Sequence, residues 1–420
     1  MRFVLVSGNR AWGGSEELWS ATAAVLASDG HSVTVFKSGV DDCEPRIRRL
    51  RALSCRIRDL ARFPLMPGRL FSLIRLLSSG AAHAHEILRL LIGLALTRRP
   101  DLVVVSQGGN HDGYFLAEVC RRLRLPYVVV SQKASELYWP ADWEQKTIAA
   151  VYRAAQACFF VSEHNRRLTE EQLGFPPPLA AVVRNPFLVS WEPRTDWPDD
   201  RYEWRLACIG RLHPKEKGQD LLLRVLARRQ WRDRPLSVTF YGDGLQRASL
   251  ERMARNLGLT NVTFAGFVRD VPAIWSGHHG LILPSRCEGL PIVLVEAMLS
   301  GRVPIVTDVG GNAEVVDDRA TGYIAAAPTE DALDDAMERA WNERHKWREI
   351  GAAAAARIRT LIPPEPERCF AKRLVELAGS LNDSYRPHGN GTGTGSPSSE
   401  TNVIGPRSSS ASVVTLAPVT

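Results

Sequence analysis

The sequence contains no closely spaced pair of cysteines and no long hydrophobic run. Its seven Cys residues are scattered along 420 residues without a C-x-x-C pair, so they predict neither a disulfide framework nor a structural zinc site, and they fit a reducing compartment. The longest apolar run, at residues 90–96, is far shorter than the about 18 residues that a membrane span needs. Because residues 1–7 have the pattern of a strand and not of a signal peptide, we expect a soluble, cytoplasmic protein.

Neither low hydrophobicity nor extreme charge marks the composition. Hydrophobic residues make up 45% of the chain, which excludes a mostly disordered protein, and the length of 420 residues predicts two globular domains. The formal net charge of +7 is informative only where basic residues cluster. The aromatic and glycine spacing of a nucleic-acid recognition module is missing, so we expect no nucleic-acid partner.

The N-terminal half alternates apolar strands with helical patterns. Residues 2–7 form a continuous apolar run, residues 15–28 have helical spacing, and residues 32–36 form the next strand. A strand, a helix and a strand in this order indicate a βαβ unit. Further strands are predicted at residues 101–105, 127–130, 158–161 and 180–183. We therefore expect residues 1–187 to form a doubly wound, parallel α/β domain.

The C-terminal half repeats this alternation after a linker. Residues 188–203 are rich in Pro, Asp and Trp, and a second Rossmann-like domain is predicted at 204–362, ending in a continuous Ala-rich helix over 330–362. Its strands are expected at residues 205–209, 236–241, 262–265, 280–283 and 303–306. A last helix lies within 363–384, and the Gly- and Ser-rich tail, 385–420, is predicted to be disordered.

A basic segment stands out at residues 46–76. It carries nine Arg and one Asp, interleaved with Ile, Leu and Phe. A basic amphipathic segment is typical of proteins that bind an anionic membrane surface. The alternative is a solvated helix whose Arg stems pack on their own domain. The sequence leaves both interpretations open.

Two carboxylates interrupt the apolar stretch Pro284–Gly301. Glu288 precedes a helix that is apolar nearly all round, with Pro291 predicted at its first position, and Glu296 lies inside it. Because burying a charge without a partner is unfavourable, ligand hydroxyls would be suitable partners for both. The free amides at the helix start suit a phosphate. The residues of that start are Gly289, Leu290, Pro291 and Ile292. Alternatively, Glu288 caps the helix and Glu296 pairs with an arginine.

Two cations follow another predicted strand, which ends at Gly210. Arg211 and Lys217 lie on the turn after it, where α/β domains bind ligands, and together they could neutralise a leaving diphosphate without a metal ion. Ordinary surface charge is the alternative. In the N-terminal domain, Gly13 and Gly14 precede a helix and could let the backbone approach a phosphate or a sugar, although a tight turn would also need them.

The motifs described above belong to a longer series of short motifs along the C-terminal half. Over residues 205–325 they are Gly210-Arg211-Leu212 with Lys217-Gly218, Gly242-Asp243-Gly244, Gly266-Phe267-Val268 with Asp270, Pro284-Ser285 with Glu288-Gly289-Leu290-Pro291, Glu296-Ala297-Met298, and Gly310-Gly311 with Glu314. With them the chain resembles the retaining glycosyltransferases of family four. The resemblance implies the GT-B architecture, in which two Rossmann-like domains face a central cleft. It also implies transfer of a sugar from a nucleoside-diphosphate sugar to an acceptor hydroxyl, with no metal and no further cofactor.

The resemblance also implies roles for single residues. Arg211 and Lys217 would hold the donor diphosphate, Glu288 would orient the donor sugar, and Glu296 would bind the ribose hydroxyls. The backbone of Val268 and Arg269 would contact the base. The two glycines at 13 and 14 would face the donor from the opposite domain, and the last helix would cross back to the N-terminal domain.

One position departs from the family. The family often has a His at the end of the strand that here reads YVVVSQKAS, where Gln132 stands. His111, which follows the preceding strand, is a candidate for the same place, although an isolated loop His is more often structural. We expect an acceptor in lipid-linked glycan, cell-envelope or polysaccharide synthesis, with the enzyme peripheral on the inner face of the cell membrane. The alternative is a catalytically silent nucleotide-sugar-binding partner of another glycosyltransferase.

Overall fold

The computed structural model describes residues 1–61, 84–193, 195–199 and 202–384. Within them the N-terminal half contains a parallel sheet of seven strands in the order β3-β2-β1-β4-β5-β6-β7. The strands are β1 Arg2–Ser7, β2 Ser32–Lys37, β3 Arg56–Asp59, β4 Leu102–Gln107, β5 Tyr127–Ser131, β6 Ala157–Phe160 and β7 Ala180–Val182. Every residue of β4 is buried, as the uninterrupted apolar pattern predicts for a central parallel strand.

Helices cover both faces of this sheet. They are α1 Gly14–Ser28, α2 Pro45–Ala52, α3 Ala84–Ala95, α4 Tyr114–Arg122, α5 Asp142–Ala154 and α6 Glu163–Leu173. One core on one face contains Leu18 and Trp19 of α1, and a second core on the other face contains Leu116 of α4 and Ile148 of α5.

The C-terminal half contains a second parallel sheet, with the order β10-β9-β8-β11-β12-β13 in the described residues. Its strands are β8 Trp204–Ile209, β9 Leu236–Tyr241, β10 Val262–Gly266, β11 Gly280–Leu283, β12 Val303–Thr307 and β13 Tyr323–Ala325. Its helices are α7 Pro214–Lys217, α8 Gln219–Leu226, α9 Arg229–Arg232, α10 Arg247–Asn256, α11 Val271–Gly277, α12 Ile292–Leu299, α13 Asn312–Val315, α14 Glu330–Asn342 and α15 Trp347–Leu361. The fold class is therefore the predicted one, with two doubly wound parallel α/β sheets.

Each sheet reverses its strand order at one place. The reversal lies between β1 and β4 in the first sheet and between β8 and β11 in the second. Ligands of doubly wound domains bind beyond the carboxyl ends of the strands at such a reversal. The loops after β8 and β11 carry the predicted cations and the first predicted carboxylate, so the topology brings them to one edge.

The last helix, α16 (Pro366–Ser384), packs on the first domain. Its Phe370 and Leu374 are buried in the same core as Leu18 and Trp19 of α1. The chain thus leaves the second sheet and crosses back to the first. The tail predicted to be disordered, residues 385–420, lies outside the described residues.

Two predictions about the helices are wrong in detail. The helix predicted over 330–362 is broken into α14 and α15 by a short 3-10 turn, Arg344–Lys346. The break turns Trp347 inward, where it is 1% exposed and donates its indole N–H to the Ala340 carbonyl at 2.8 Å. Pro291 is the residue before α12 and not its first residue.

The basic segment at 46–76 is not one amphipathic helix in its described part. Residues 46–61 contain most of α2 and then β3, the edge strand beside β2. Ile47 and Leu50 of α2 are buried, and Arg46 forms an ion pair with Glu17 of α1 at 2.9 Å. This part therefore packs on its own domain. The rest of the segment, 62–76, lies outside the described residues.

Neither a disulfide nor a candidate membrane-spanning helix is found in the described residues. All seven Cys positions fall within the described ranges, and each thiol there is free. A search of the same ranges finds no helix with the length and hydropathy that crossing a membrane requires.

Candidate functional site

The loop after β8 and the loop after β11 are in direct contact. Gly218, between α7 and α8, has a φ of +63°, and a Cβ atom there would lie 1.8 Å from the carbonyl oxygen of Pro284. Only glycine permits both the left-handed backbone and this approach. The close packing brings Lys217, one residue before it, to the carboxylate of the neighbouring loop.

Lys217 and Glu288 form the central ion pair. The Lys217 Nζ lies 2.7 and 2.8 Å from the two carboxylate oxygens of Glu288, which is 5% exposed. Ser285 donates its hydroxyl to the same carboxylate at 2.7 Å. Glu288 therefore does not act as a helix cap, since no side chain caps the start of α12. An ammonium has three N–H donors, and this geometry leaves one for a ligand.

Arg211 contacts a second carboxylate, that of Glu216, the residue before Lys217. Its guanidinium lies 3.3 Å from Glu216, and its side chain is 62% exposed. Glu216 also accepts hydrogen bonds from Lys133 at 3.0 Å and from the Tyr138 hydroxyl at 3.2 Å. Burial acts to raise the pKa of Glu216, but Lys133, Arg211 and Lys217 outweigh it and lower that pKa. One ionised carboxylate thus holds cations from both domains.

Glu296 lies deeper in α12 and is 1% exposed. Its carboxylate accepts the backbone N–H of Leu188 at 2.8 Å, and no arginine of the described ranges pairs with it. Burial raises the pKa of Glu296 to about 8, and the nearby Glu17 carboxylate also acts to raise it. Glu296 is therefore mostly protonated at neutral pH. It can both donate to and accept from hydroxyl groups.

The two sheets meet at the glycines of the site. A Cβ atom on Gly289 would lie 2.1 Å from the carbonyl oxygen of Gln132, and one on Gly14 would lie 3.3 Å from the side chain of Ile292. Glu314, on α13, accepts the backbone N–H of His164 at 2.8 Å. Loops of the N-terminal sheet therefore touch the start of α12, and the cleft is closed at this point.

Gln132 contributes its side chain as well as its backbone. It is 6% exposed, and its Oε1 accepts a hydrogen bond from Asn185 at 2.8 Å. Its Nε2 is buried, and no group of the described part of the chain accepts a hydrogen bond from it. A buried donor without a partner is unfavourable, so a ligand hydroxyl would be a suitable acceptor for it.

His111 lies apart from these contacts. It follows β4 on a turn in which Asp112 accepts the Gly109 N–H at 2.6 Å, and it is partly buried. Burial lowers the pKa of His111, although Asp112 and Glu144 act in the opposite direction. No hydrogen bond in the described residues joins it to Lys217 or Glu288. Gln132 contacts the start of α12 through Gly289, and a role for His111 stays a prediction.

The predicted base-contacting residues follow β10. Val268 packs against the hydrophobic core that contains residues of α11 and α12, and Arg269 is exposed. Asp270 caps α11 by accepting the Ala273 N–H at 3.1 Å. The turn is therefore ordered by α11, and it follows the carboxyl end of β10, at the same edge of the parallel sheet as the loops after β8 and β11.

Sequence reasoning missed a buried ion pair beneath the first loop. Glu16 and Lys37 are 3.3 Å apart and almost fully buried. Glu16 also accepts from Asn9 at 3.0 Å and from the Trp19 indole at 2.9 Å, while Lys37 donates to the Asn9 carbonyl at 2.6 Å. These bonds fix the turn that leads to Gly14. The charge of Lys37 at the end of an apolar strand was the signal available in the sequence.

Family models match both halves of the chain. The model described as "Glycosyl transferases group 1" matches residues 203–343, and the model described as "Glycosyl transferase 4-like domain" matches residues 13–186. Together they cover every predicted site residue and every strand of the two sheets except β1. The fold has solved counterparts: HepE from Anabaena in complex with UDP-glucose has a TM-score of 0.71 and 18% identity, covering 90% of this chain and 99% of that one.

Curated relatives match shorter stretches. The GDP-mannose-dependent α-(1-6)-phosphatidylinositol monomannoside mannosyltransferase of Mycolicibacterium smegmatis is 29% identical over 261 residues, which are 56% of this chain and 66% of the relative. The α-D-kanosaminyltransferase of Streptomyces kanamyceticus is 32% identical over 134 residues, which are 31% of this chain and 34% of the relative. The matches thus span a third to two thirds of these relatives. With the GT-B fold and both family models, the chain belongs to the group 1 glycosyl transferases.

Proposed function

We propose that the protein transfers a sugar from a nucleoside-diphosphate sugar to an acceptor hydroxyl, with retention of configuration and without a metal ion. The observation that carries the proposal is the convergence of Lys217, Glu288 and Arg211 at the reversal of strand order in the second sheet. Cations at this edge suit a diphosphate, and carboxylates beside them suit sugar hydroxyls. The two kinds of group form two neighbouring ion pairs, Lys217 with Glu288 and Arg211 with Glu216.

Each part of the donor is bound by different residues. The free N–H of Lys217 and the exposed guanidinium of Arg211 bind the diphosphate, while Glu288 accepts hydroxyls of the donor sugar. Protonated Glu296 binds the two ribose hydroxyls, donating to one and accepting from the other. The backbone at Val268 and Arg269 contacts the base. Bound diphosphate also replaces Glu216 as the partner of Arg211.

The first domain closes over the sugar. Gly13 and Gly14 present their backbone to the donor, and the unpartnered Nε2 of Gln132 donates to a hydroxyl of the donor sugar in place of the family histidine. The contact of Gly289 with the Gln132 carbonyl keeps water from the anomeric carbon. Exclusion of water limits hydrolysis of the donor.

The chemical step needs no protein nucleophile. The bond between the anomeric carbon and the phosphate oxygen breaks, and the acceptor oxygen forms the new bond on the same face. The leaving phosphate oxygen takes the acceptor proton. The task of Lys217 and Arg211 is to stabilise the negative charge that develops on the diphosphate.

A panel of UDP-, GDP- and ADP-sugars in a thermal unfolding assay tests donor binding. A donor at 100 times its Kd adds about 2.7 kcal/mol of stability. The anomeric coupling constant of the product reports retention, and turnover in excess EDTA reports metal independence. No shift with any donor, or an inverted product, contradicts the proposal. A shift without transfer or hydrolysis would instead favour a catalytically silent nucleotide-sugar-binding partner of another enzyme.

We further propose that the acceptor belongs to lipid-linked glycan, cell-envelope or polysaccharide synthesis, at the inner face of the cell membrane. The mannosyltransferase relative acts on a phosphatidylinositol mannoside, as its name states. The support in this chain is the exposed guanidinium groups of Arg48 and Arg49 on α2, which suit anionic lipid. Cosedimentation with anionic vesicles, lost at high salt, tests this; equal binding to neutral vesicles contradicts it.

A further inference from the structure

The loop between β5 and α5, together with the first turn of α5, carries an unusual pair of aromatic side chains. All 11 Trp of the sequence fall within the described residues, and two of them, Trp139 and Trp143, are exposed, at 61% and 77%. The others are buried or half-buried. An exposed indole leaves a large apolar face in water, so two of them close together in the chain indicate a binding surface. We name residues 134–143 the tryptophan loop.

The tryptophan loop begins at the catalytic centre. Tyr138 donates its hydroxyl to Glu216 at 3.2 Å, and the ammonium of Lys215 lies 4.8 Å from the centre of the Tyr138 ring. Glu216 precedes Lys217, which binds Glu288. The residue after Tyr138 is the first exposed tryptophan. The first exposed tryptophan is therefore the chain neighbour of a side chain that bonds to the site.

The tryptophan loop is fixed by hydrogen bonds to α6, which form in the absence of a ligand. Gln172 of α6 donates its side-chain amide to the carbonyl of Tyr138 at 3.1 Å and to the carbonyl of Ser135 at 3.2 Å. The Ser135 hydroxyl in turn accepts the Leu137 N–H at 3.1 Å. A surface that is ordered before binding loses less entropy when it binds.

The charge of the loop selects the occupant. Residues 134–143 contain two carboxylates, Glu136 and Asp142, and no Lys, Arg or His. Both carboxylates are exposed, Glu136 with the His164 imidazole at 3.1 Å, and as the only charged side chains of the loop they disfavour an anionic bilayer or a phosphate group. A sugar ring has apolar C–H faces, which stack on indoles, and hydroxyls at its edge, which donate to carboxylates. The combination of groups therefore suits a neutral glycan.

We propose that Trp139 and Trp143 form a stacking platform for the sugar rings of the acceptor that lie beyond the attacked hydroxyl. The platform assigns the acceptor to the oligosaccharides and glycosides, as opposed to small alcohols. It rests on the proposed glycosyl transfer, because the platform is assigned by its position next to the proposed donor site. It adds a binding site that the donor chemistry does not require.

Saturation-transfer NMR with α-(1→6)-mannobiose and maltotriose tests the platform in the full-length protein. We expect saturation of the ring C–H protons in the wild type. In Trp139→Ala and Trp143→Ala the apparent Kd rises about tenfold, the effect of losing roughly 1.4 kcal/mol. Leu96→Ala is the matched control, because Leu96 is 77% exposed and precedes β4, at the opposite edge of the sheet. It leaves the Kd unchanged.

Three outcomes overturn the platform. They are the absence of any signal with the wild type, equal binding by the tryptophan variants, and a loss of binding to phosphatidylserine vesicles in those variants. A thermal shift with UDP or GDP is measured on the same samples. If the nucleotide shift persists while the sugar result fails, the platform alone is wrong. If no nucleotide shifts the wild type and no sugar is transferred, the proposed function is wrong.

Discussion

The buried carboxyl of Glu296 gives the stability of the protein a defined pH dependence. Burial raises the pKa of Glu296 to about 8 in the folded protein, whereas an unfolded chain returns a glutamate to about 4.3. Between these values the folded state binds a proton that the unfolded state does not. The free energy of unfolding therefore falls as pH rises through this window.

The magnitude follows from the width of the window. Each pH unit within the window lowers the free energy of unfolding by about 1.4 kcal/mol. Between pH 4.3 and 8 the titration of Glu296 therefore lowers it by up to about 5 kcal/mol. Glu296→Gln removes the titration and keeps an amide oxygen for the Leu188 N–H. We expect the free energy of unfolding of the variant, relative to that of the wild type, to rise by about 1.4 kcal/mol per pH unit up to pH 8. Above pH 8 the difference should stay constant.

Urea unfolding of both proteins at pH 5, 6, 7, 8 and 9 measures this difference. The linear extrapolation gives the free energy of unfolding at each pH, and only the difference between the proteins is compared, so other titrating groups cancel. Parallel pH curves would refute the argument, because they would mean that Glu296 is ionised in the folded protein. The same variant should retain the thermal shift by a nucleotide-sugar donor, because an amide, like a protonated carboxyl, can donate to one ribose hydroxyl and accept from the other.

Three further perturbations test other parts of the site. Lys217→Ala lowers turnover by about 10²-fold or more, the usual effect of losing one charge-stabilising donor, and Arg211→Ala acts in the same direction; near-normal turnover in both contradicts their roles. Gly289→Ala places a Cβ atom 2.1 Å from the Gln132 carbonyl, so it opens the cleft, which small-angle scattering detects as a larger radius of gyration; Gly277→Ala, where a Cβ atom meets nothing within 4 Å, leaves the radius unchanged. Lys37→Met leaves the buried carboxylate of Glu16 without its ammonium partner and lowers the free energy of urea unfolding by about 3–5 kcal/mol; the exposed pair of Arg2 with Asp101 provides the control, since Arg2→Ala lowers it by less than about 1 kcal/mol.

The cations around Glu216 explain how the protein can be ordered before the donor arrives. Lys133 of the first domain and Arg211 of the second share this carboxylate. Without Glu216, these two cations and the nearby Lys217 would repel each other. Because Glu216 is ionised and its pKa is lowered, it neutralises them until a diphosphate does so.

Local patterns determined the two sheets and the chemical character of the site. Uninterrupted apolar strands such as β4 must be buried on both faces, so their alternation with helices predicts parallel sheets. Glu296 was recognisable because a carboxylate inside a helix that is apolar nearly all round requires a specific partner. Lys217 and Glu288 were recognisable because each follows a strand of one sheet, and parallel strands end at the same edge.

Contacts between the two sheets were decided only by the tertiary structure. Lys133 and Glu216 are 83 residues apart, and no local pattern states that their loops meet. The break before Trp347 was hidden for the same reason, because Ala-rich helical propensity is local, whereas the buried indole bonds back to Ala340. Sequence periodicity reports which face of an element is buried; which loops then meet across a cleft depends on how whole domains pack.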